Sequence, residues 1–199
     1  LGIAANIFIR LSGSAVPFLL PLMFQLSFGY SAAVSGWLLA PIALMSVVFK
    51  RFIGHILNIL GYKTTLILSS LLMVGSTVSM SWLDTSSSTT WIICNLMWYG
   101  ACMSMIFTSI NTLTVGDLSQ AQSGVGSTVL SIVQQVGIGF GIAVASIILT
   151  LYRQFMGNDD ALQHAFSYTF LTTSVFAIAL VWILSYLRKT DGDHLRKKR

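Results

Sequence analysis

The sequence predicts an all-α integral membrane protein whose chain crosses the bilayer six times. Hydrophobic residues make up 55% of the chain and charged residues only 9%, with a mean hydropathy of +0.80. Soluble domains carry roughly 25% charged residues, so this chain lacks the polar residues that would cover a water-soluble core. A spanning helix needs roughly 20 mostly apolar residues. Six stretches meet this requirement, at about 3–28, 32–54, 64–83, 90–113, 123–151 and 164–187.

The positions of lysine and arginine predict the orientation of these helices. If the six helices alternate in direction, one side of the membrane carries Lys50, Arg51, Lys63, Arg188, Lys189, Arg196, Lys197, Lys198 and Arg199. The other side carries Arg153, and Arg10 falls within the first span. Cytoplasmic loops are enriched in basic residues, so both ends of this segment are predicted to be cytoplasmic. We therefore predict a six-helix bundle over residues 1–188 and a basic cytoplasmic tail over 189–199, with no nucleic-acid surface.

One face of the first helix is unusually polar for a membrane span. Its residues are spaced by three or four positions, which places them on one side of a helix. They are Asn6, Arg10, Ser14, Pro17, Pro21 and Gln25. The two prolines each remove a backbone donor, which predicts a kinked helix that takes part in gating.

The charge of Arg10 allows two interpretations. A charged side chain at the bilayer centre costs about 2.5–3.5 kcal/mol on insertion scales, so it usually faces a bundle interior or an aqueous cavity. Alternatively, Arg10 extends to the cytoplasmic interface, since it lies only about 12 Å from the start of the helix. The cavity interpretation is favoured because the polar face continues past Arg10 to Gln25. Asn6, Arg10, Ser14 and Gln25 are therefore candidates for contact with a solute.

The fifth helix is rich in small and polar residues. Gly137 and Gly141 are four positions apart, a spacing that allows two helices to approach closely, and we assign them to helix packing. Gln134 and Gln135 precede them. Each glutamine could either line a cavity or form hydrogen bonds between helices, and the sequence does not decide between these roles.

The chemistry that the chain lacks narrows its function. No aspartate or glutamate lies within a predicted span, so the titratable group of a proton-coupled carrier is expected in a part of the protein outside this chain. The histidines lie in connectors or the tail, and paired carboxylates, metal-ligand clusters and cofactor motifs are missing. We therefore predict no enzymatic activity, no metal and no cofactor. Because the chain begins at Leu1 inside a helical pattern, we expect it to be a fragment.

Several motifs together resemble one transporter family. They include the Pro17-x-x-x-Pro21-x-x-x-Gln25 run, the Ala40-Pro41 pair, Asn111-Thr112-Leu113-Thr114 with Asp117, and the Gln134-Gln135 pair before a glycine-rich run. In order and spacing they resemble the C-terminal half of a major facilitator superfamily transporter. The nearest resemblance is to the 14-helix drug:proton antiporter group of the EmrB and QacA type, in particular its MdtD- and HsrA-like members.

This resemblance implies a fold and a mechanism. The fold would be one bundle built from two inverted three-helix repeats, working by alternating access with the N-terminal half of the same transporter. The family's cytoplasmic loop motif would be present in degenerate form as Gly54, Asn58, Gly61 and Lys63, which we take as gating candidates. The sixth helix, with Phe166, Phe170, Phe176 and Trp182, would face lipid and the periphery of the bundle.

The predicted function is therefore proton-coupled efflux of drugs or other small organic molecules across the bacterial inner membrane. The expected partners are a small-molecule substrate, protons, the lipid bilayer and the N-terminal half. Two alternatives stay open: a carrier of a single physiological metabolite, and a truncated membrane remnant that no longer transports.

Overall fold

The described part of the chain folds into six long helices. The computed structural model describes residues 2–116, 123–157 and 161–185, and no β-strand occurs in those ranges. The helices are α1 (Gly2–Leu26), α2 (Ala32–Leu60), α3 (Tyr62–Met80), α4 (Thr89–Gly116), α5 (Ser123–Met156) and α6 (Ala161–Ser185). All six are long and apolar enough to cross a membrane, which confirms the predicted fold class. The predicted tail, residues 189–199, lies outside the described residues.

The junction between α2 and α3 differs from the expected one. The sequence predicts that the second span ends near residue 54, whereas α2 continues to Leu60. Ile53 and Leu57, one turn apart, are both buried, so the apolar period of the helix persists past the predicted end. The helix stops at Gly61, whose φ of 77° lies in the left-handed region that glycine adopts without steric cost.

The connector between α3 and α4 is a short loop that its own side chains hold. Asp84 Oδ1 accepts hydrogen bonds from the backbone N–H of Ser86 (2.9 Å) and from the hydroxyls of Ser86 (2.8 Å) and Ser87 (3.0 Å). These side-chain hydrogen bonds favour the charged carboxylate and lower the pKa of Asp84. The connector is therefore a compact turn that carries an ionised aspartate.

The helix contacts have an internal symmetry. The extensive pairs are α1 with α5, α2 with α4, α3 with α4, α1 with α6, and α3 with α6. If α1, α2 and α3 are taken as equivalent to α4, α5 and α6 in that order, the α1–α5 contact corresponds to the α4–α2 contact. The α1–α6 contact likewise corresponds to the α4–α3 contact. The α3–α6 contact maps onto itself. Since an odd number of crossings separates equivalent helices, this pattern is that of two inverted three-helix repeats.

The buried core lies along α1, α3, α4 and α6, whereas α2 and α5 are the more exposed helices. Phe24 and Tyr99 are among the largest fully buried side chains. The prediction for α6 is wrong in part, although Trp182 is exposed as expected. Phe166 and Phe170 of α6 are fully buried instead of facing lipid, because α6 packs against both α3 and α1.

Candidate functional site

Arg10 is part of a hydrogen-bonded chain of side chains from three helices. Its Nη2 donates to Oε1 of Gln134 on α5 at 2.8 Å. Gln134 Nε2 donates in turn to Oδ1 of Asn111 on α4 at 3.0 Å, and Asn6 Nδ2 donates to the same oxygen at 3.3 Å. We call these four residues, Asn6, Arg10, Asn111 and Gln134, the Arg10 cluster. The cluster ties α1, α4 and α5 together through side-chain hydrogen bonds.

The local sequence explains how these side chains meet. Asn6 and Arg10 lie one turn apart and therefore share a face of α1. On α5, Gly137 follows Gln134 by three residues and is buried against α1. A β carbon at Gly137 would lie 3.0 Å from Cβ of Arg10, so the absence of a side chain lets the two helices approach. This close approach brings Gln134 within hydrogen-bonding distance of Arg10.

The guanidinium of Arg10 has an unusual environment for a charged group. Its Cζ lies 4.0 Å from the ring centroid of Phe107, a cation–π geometry. Its Nε is buried without a hydrogen-bond partner in the described residues, and so is Oδ1 of the fully buried Asn6. Leaving a buried polar group unsatisfied costs about 1–3 kcal/mol, so the cluster carries a free-energy cost that the rest of the bundle offsets.

A cavity of about 370 Å³ opens beside the cluster, between α1, α4 and α5. This volume falls within the roughly 300–1,000 Å³ range of small-molecule sites. Its walls consist of Arg10, Gly13, Ser14, Pro17, Phe18, Met103, Phe107, Ile138 and Ile142. Ser14 directs its hydroxyl to backbone carbonyls, those of Arg10 (2.6 Å) and Ile138 (3.3 Å). The cavity is therefore apolar except at the end that Arg10 forms.

Comparison with known proteins identifies the family. The sequence profile of the Major Facilitator Superfamily matches residues 1–142, well over half of the chain. The chain belongs to the major facilitator superfamily. It forms a transporter domain and, with its six membrane-length helices, part of a multi-pass membrane protein. Members of this superfamily are carriers, which confirms the expectation that the chain is not an enzyme.

The relatives include those that the motifs indicated. The chain is 77% identical to a probable transport protein HsrA of Haemophilus influenzae, over 99% of the chain and 42% of that protein. It is 30% identical to a putative multidrug resistance protein MdtD of Klebsiella pneumoniae, over 96% of the chain and 41% of the relative. The chain thus spans about two-fifths of the length of these relatives.

A solved transporter shares the fold. The proton:xylose symporter XylE superposes with a TM-score of 0.72 over 94% of this chain and 43% of its own, at 11% sequence identity. At that identity the similarity concerns the architecture of the bundle only.

The six residues of the polar face of α1 lie in different environments in this major facilitator bundle. Asn6 is buried in the Arg10 cluster, and Arg10, Ser14 and Pro17 line the cavity. Pro21 is partly buried and does not contribute to the cavity wall. Gln25 is exposed near the last residue of α1. The predicted solute contact of Gln25 therefore gains no support from its position.

The structure distinguishes the two glutamines that the sequence left equivalent. Gln134 belongs to the Arg10 cluster, whereas Gln135 is exposed on another face of α5. Gly141 is buried against Leu11 and Ser14 of α1, where it allows close packing, as Gly137 does one turn earlier.

The degenerate loop motif lies at the α2–α3 junction. Gly54 and Asn58 are exposed on the last turns of α2, and Gly61 forms the break between the helices. Lys63 Nζ donates to the backbone carbonyl of Ser185 at 2.7 Å, which connects the start of α3 with the end of α6. The motif thus joins three helices at one end of the bundle.

Asn111 and Phe107, which contact the polar groups of the site, were not among the sequence-based candidates. Asn111 accepts both amide hydrogen bonds of the cluster, and Phe107 packs one turn away on the same face of α4. A signal for Asn111 existed, because an asparagine within an apolar span tends to form hydrogen bonds between helices. Phe107 gave no such signal, since phenylalanine is common in membrane helices.

Proposed function

We propose that this chain is the C-terminal bundle of a secondary active transporter in the bacterial inner membrane. The complete carrier would export drugs or other small organic molecules in exchange for protons, by alternating access between two bundles. The names of the HsrA and MdtD relatives, a probable transport protein and a putative multidrug resistance protein, support this assignment.

The observation that carries the proposal is the position of the Arg10 cluster beside an apolar cavity. A charged side chain in a span usually marks a solute or ion pathway. Here three neutral side chains hold such a charge at one end of a space large enough for a small organic molecule. Small-molecule sites commonly combine apolar walls with a few fixed polar groups.

Two prolines inside α1 support movement near the same cavity. Pro17 lines the cavity and Pro21 lies one turn beyond it, and each lacks the N–H that would bond a carbonyl of the preceding turn. A helix with two missing bonds bends more easily than a regular one. We propose that bending at these prolines, together with the loop motif from Gly54 to Lys63, opens and closes the cavity.

The proton-coupling group of this carrier would lie in its other bundle. Among the described residues the one acid is Asp84, which lies in the connector between α3 and α4, and the histidines His55 and His164 are exposed near the ends of α2 and α6. Proton carriers in membranes depend on intramembrane acids or histidines. The N-terminal half is therefore the expected partner in coupling.

A carrier of one physiological metabolite is the second candidate. The fixed orientation of Arg10 by Gln134 and Asn111 favours it, because a rigid polar group discriminates between ligands better than an adaptable apolar wall.

Transport by the full-length carrier in inside-out membrane vesicles tests both candidates. An acidic vesicle interior should drive uptake of ethidium, rhodamine 6G, nalidixate or novobiocin if the carrier is a multidrug antiporter. Uptake of several of these, abolished by collapsing the pH gradient, is the expected result. Uptake of none of them, or uptake indifferent to the gradient, would contradict drug:proton exchange. Vesicles without the carrier serve as the control.

A further inference from the structure

We infer that the cavity beside Arg10 binds organic anions, with the anionic group at the guanidinium and an apolar or aromatic body along the remaining walls. The inference rests on the proposed function in one respect, namely that the cavity is the substrate site.

The first observation is that Arg10 has no counter-ion among the described residues. Buried charges in proteins are generally paired with an opposite charge. Arg10 instead donates to the neutral amide of Gln134 and packs on Phe107. Within residues 2–116, 123–157 and 161–185 the one acid is Asp84, which lies in the connector between α3 and α4 and binds Ser86 and Ser87. The described residues of the site therefore carry a net positive charge.

The second observation is the unused hydrogen-bonding capacity of this charge. A guanidinium has five N–H donors in a planar fork that matches the two oxygens of a carboxylate. Gln134 occupies Nη2, while Nε is buried without a partner in the described part of the chain. An anion in the cavity beside Arg10 would supply a negative counter-charge. It would also accept hydrogen bonds from guanidinium N–H groups that Gln134 does not use.

The third observation is the contrast between the two ends of the cavity. Away from Arg10 the walls are formed by side chains such as Phe18, Met103, Ile138 and Ile142. These offer apolar contact and no formal charge. An aromatic acid matches both ends, whereas a lipophilic cation would place its charge beside Arg10 in a site of low dielectric, where repulsion is strong.

Neighbouring side chains hold the charge in place. Asn111 Oδ1 accepts from both Gln134 and Asn6, which fixes the amide that in turn orients Arg10. A guanidinium that is already held in one orientation loses less conformational entropy on binding an anion than a mobile guanidinium does. The chain of amides thus acts as a positioning device for the charge.

Equilibrium binding to the purified full-length carrier, without any gradient, tests this inference. The probes share one aromatic body: naphthalene-1-acetate, naphthalene-1-acetamide and 2-(1-naphthyl)ethylammonium. We expect the wild-type carrier to bind the anion at least about tenfold more tightly than the amide, as a charge-assisted hydrogen bond to an arginine would give.

Substitutions of Arg10 should change this ratio of affinities. Arg10→Gln should reduce it to within about twofold, and Arg10→Lys should retain part of it. Arg153→Gln, at an exposed arginine in the last turn of α5, is the matched control and should leave it unchanged.

A second variant avoids dependence on the folding of Arg10→Gln. Gln134→Glu places a carboxylate where the amide oxygen bonds Arg10, so the cavity gains an internal counter-ion with little change of volume. It should also remove the preference for the anion.

Four results would overturn the inference. Two concern the wild-type carrier, which would bind the ammonium probe best or bind none of the probes. The other two concern Arg10→Gln, which would keep the preference for the anion or lose affinity equally for all probes. The last result would show that Arg10 pairs with an acid of the other bundle or acts in folding. Because no transport is measured, anion binding without proton-driven uptake would contradict the proposed function and leave this inference standing.

Discussion

The hydroxyl of Tyr99 on α4 donates a hydrogen bond of 2.6 Å to the backbone carbonyl of Gly13 on α1. In a regular helix this carbonyl would accept from the N–H of residue 17, but that residue is proline and has none. Both partners are fully buried in the core. A side chain of one repeat therefore satisfies the backbone group that the proline of the other repeat leaves free.

The Tyr99 bond gives a first prediction. Tyr99→Phe keeps the ring and leaves the Gly13 carbonyl buried without a donor, which should destabilise the full-length carrier by about 1–3 kcal/mol. Thermal unfolding of the purified carrier in detergent measures the loss. Tyr152→Phe is the matched control, because the Tyr152 hydroxyl bonds a partly exposed side chain, that of Thr172, at 2.9 Å. It should have the smaller effect.

A double variant makes this prediction specific. Pro17→Ala restores an N–H that can bond the Gly13 carbonyl within α1. In the Tyr99→Phe background it should therefore recover part of the stability, so that the two changes are not additive. Additive losses would show that Tyr99 stabilises the bundle by packing alone.

Gly141 supports a second prediction, on the contact of α5 with α1. A β carbon at Gly141 would lie 2.6 Å from the carbonyl oxygen of Leu11 and 3.0 Å from its Cα. Since a backbone cannot move aside as a flexible side chain does, Gly141→Ala should cost about 1–3 kcal/mol of stability. Gly139→Ala on the same helix is the control, because nothing lies within 4 Å of its added carbon. Equal melting temperatures of the two variants would contradict the assigned packing role.

Gly100 supports a third prediction, at the contact of α4 with α2 that corresponds to α1 with α5. A β carbon at Gly100 would overlap the carbonyl oxygen of Ile42 and lie 2.9 Å from its Cα. Ser46 crosses the same contact by donating to the Gly100 carbonyl at 3.0 Å. Gly100→Ala should thus destabilise the carrier by about 1–3 kcal/mol. Gly36→Ala, where the added carbon meets open space, should not, as thermal unfolding can show.

The parts of the site that follow periodicity could be predicted from the sequence. Arg10, Ser14 and Pro17 share one helical face by spacing alone, and all three line the cavity. The same reasoning could have assigned Gln134 to the site. It shares a helical face with Gly137 and Gly141, the small residues that allow α1 to pack closely against α5. Gln135 points about 100° away from that face.

The parts that depend on contacts between helices could not be predicted. Asn111 and Phe107 belong to the site because α4 approaches α1, and neither spacing nor composition within α4 gives that pairing. The error at Phe166 and Phe170 has a related cause. The sequence of α6 is apolar on nearly every side, so no contrast of polarity separates its buried face from its exposed one.

Removing the charge of Arg10 provides the fourth prediction. In the full-length carrier Arg10→Ala should reduce efflux at least about tenfold, because a charge-assisted contact made inside the cavity is lost. Membrane insertion should persist, since the variant makes the span more apolar. Substrate accumulation in cells measures the first effect, and carrier content of isolated membranes the second. Arg153→Ala should affect neither, and unchanged efflux of several substrates in Arg10→Ala would contradict a cavity role for Arg10.

The fifth prediction compares two adjacent glutamines that differ in what they contact. Gln134→Leu removes the acceptor of Arg10 and the donor to Asn111 together, so the guanidinium loses its fixed position beside the cavity. We expect two changes, a lower maximal efflux rate and an altered range of accepted substrates. The altered range corresponds to a change of about 1–2 kcal/mol in the binding free energy of individual substrates. Gln135→Leu makes the same chemical change one residue along, on an exposed face, and should leave both quantities intact. Concentration-dependent transport by the two variants in inside-out vesicles makes the comparison. If Gln134→Leu retained wild-type rate and substrate range, the contact between α5 and Arg10 would serve helix packing only.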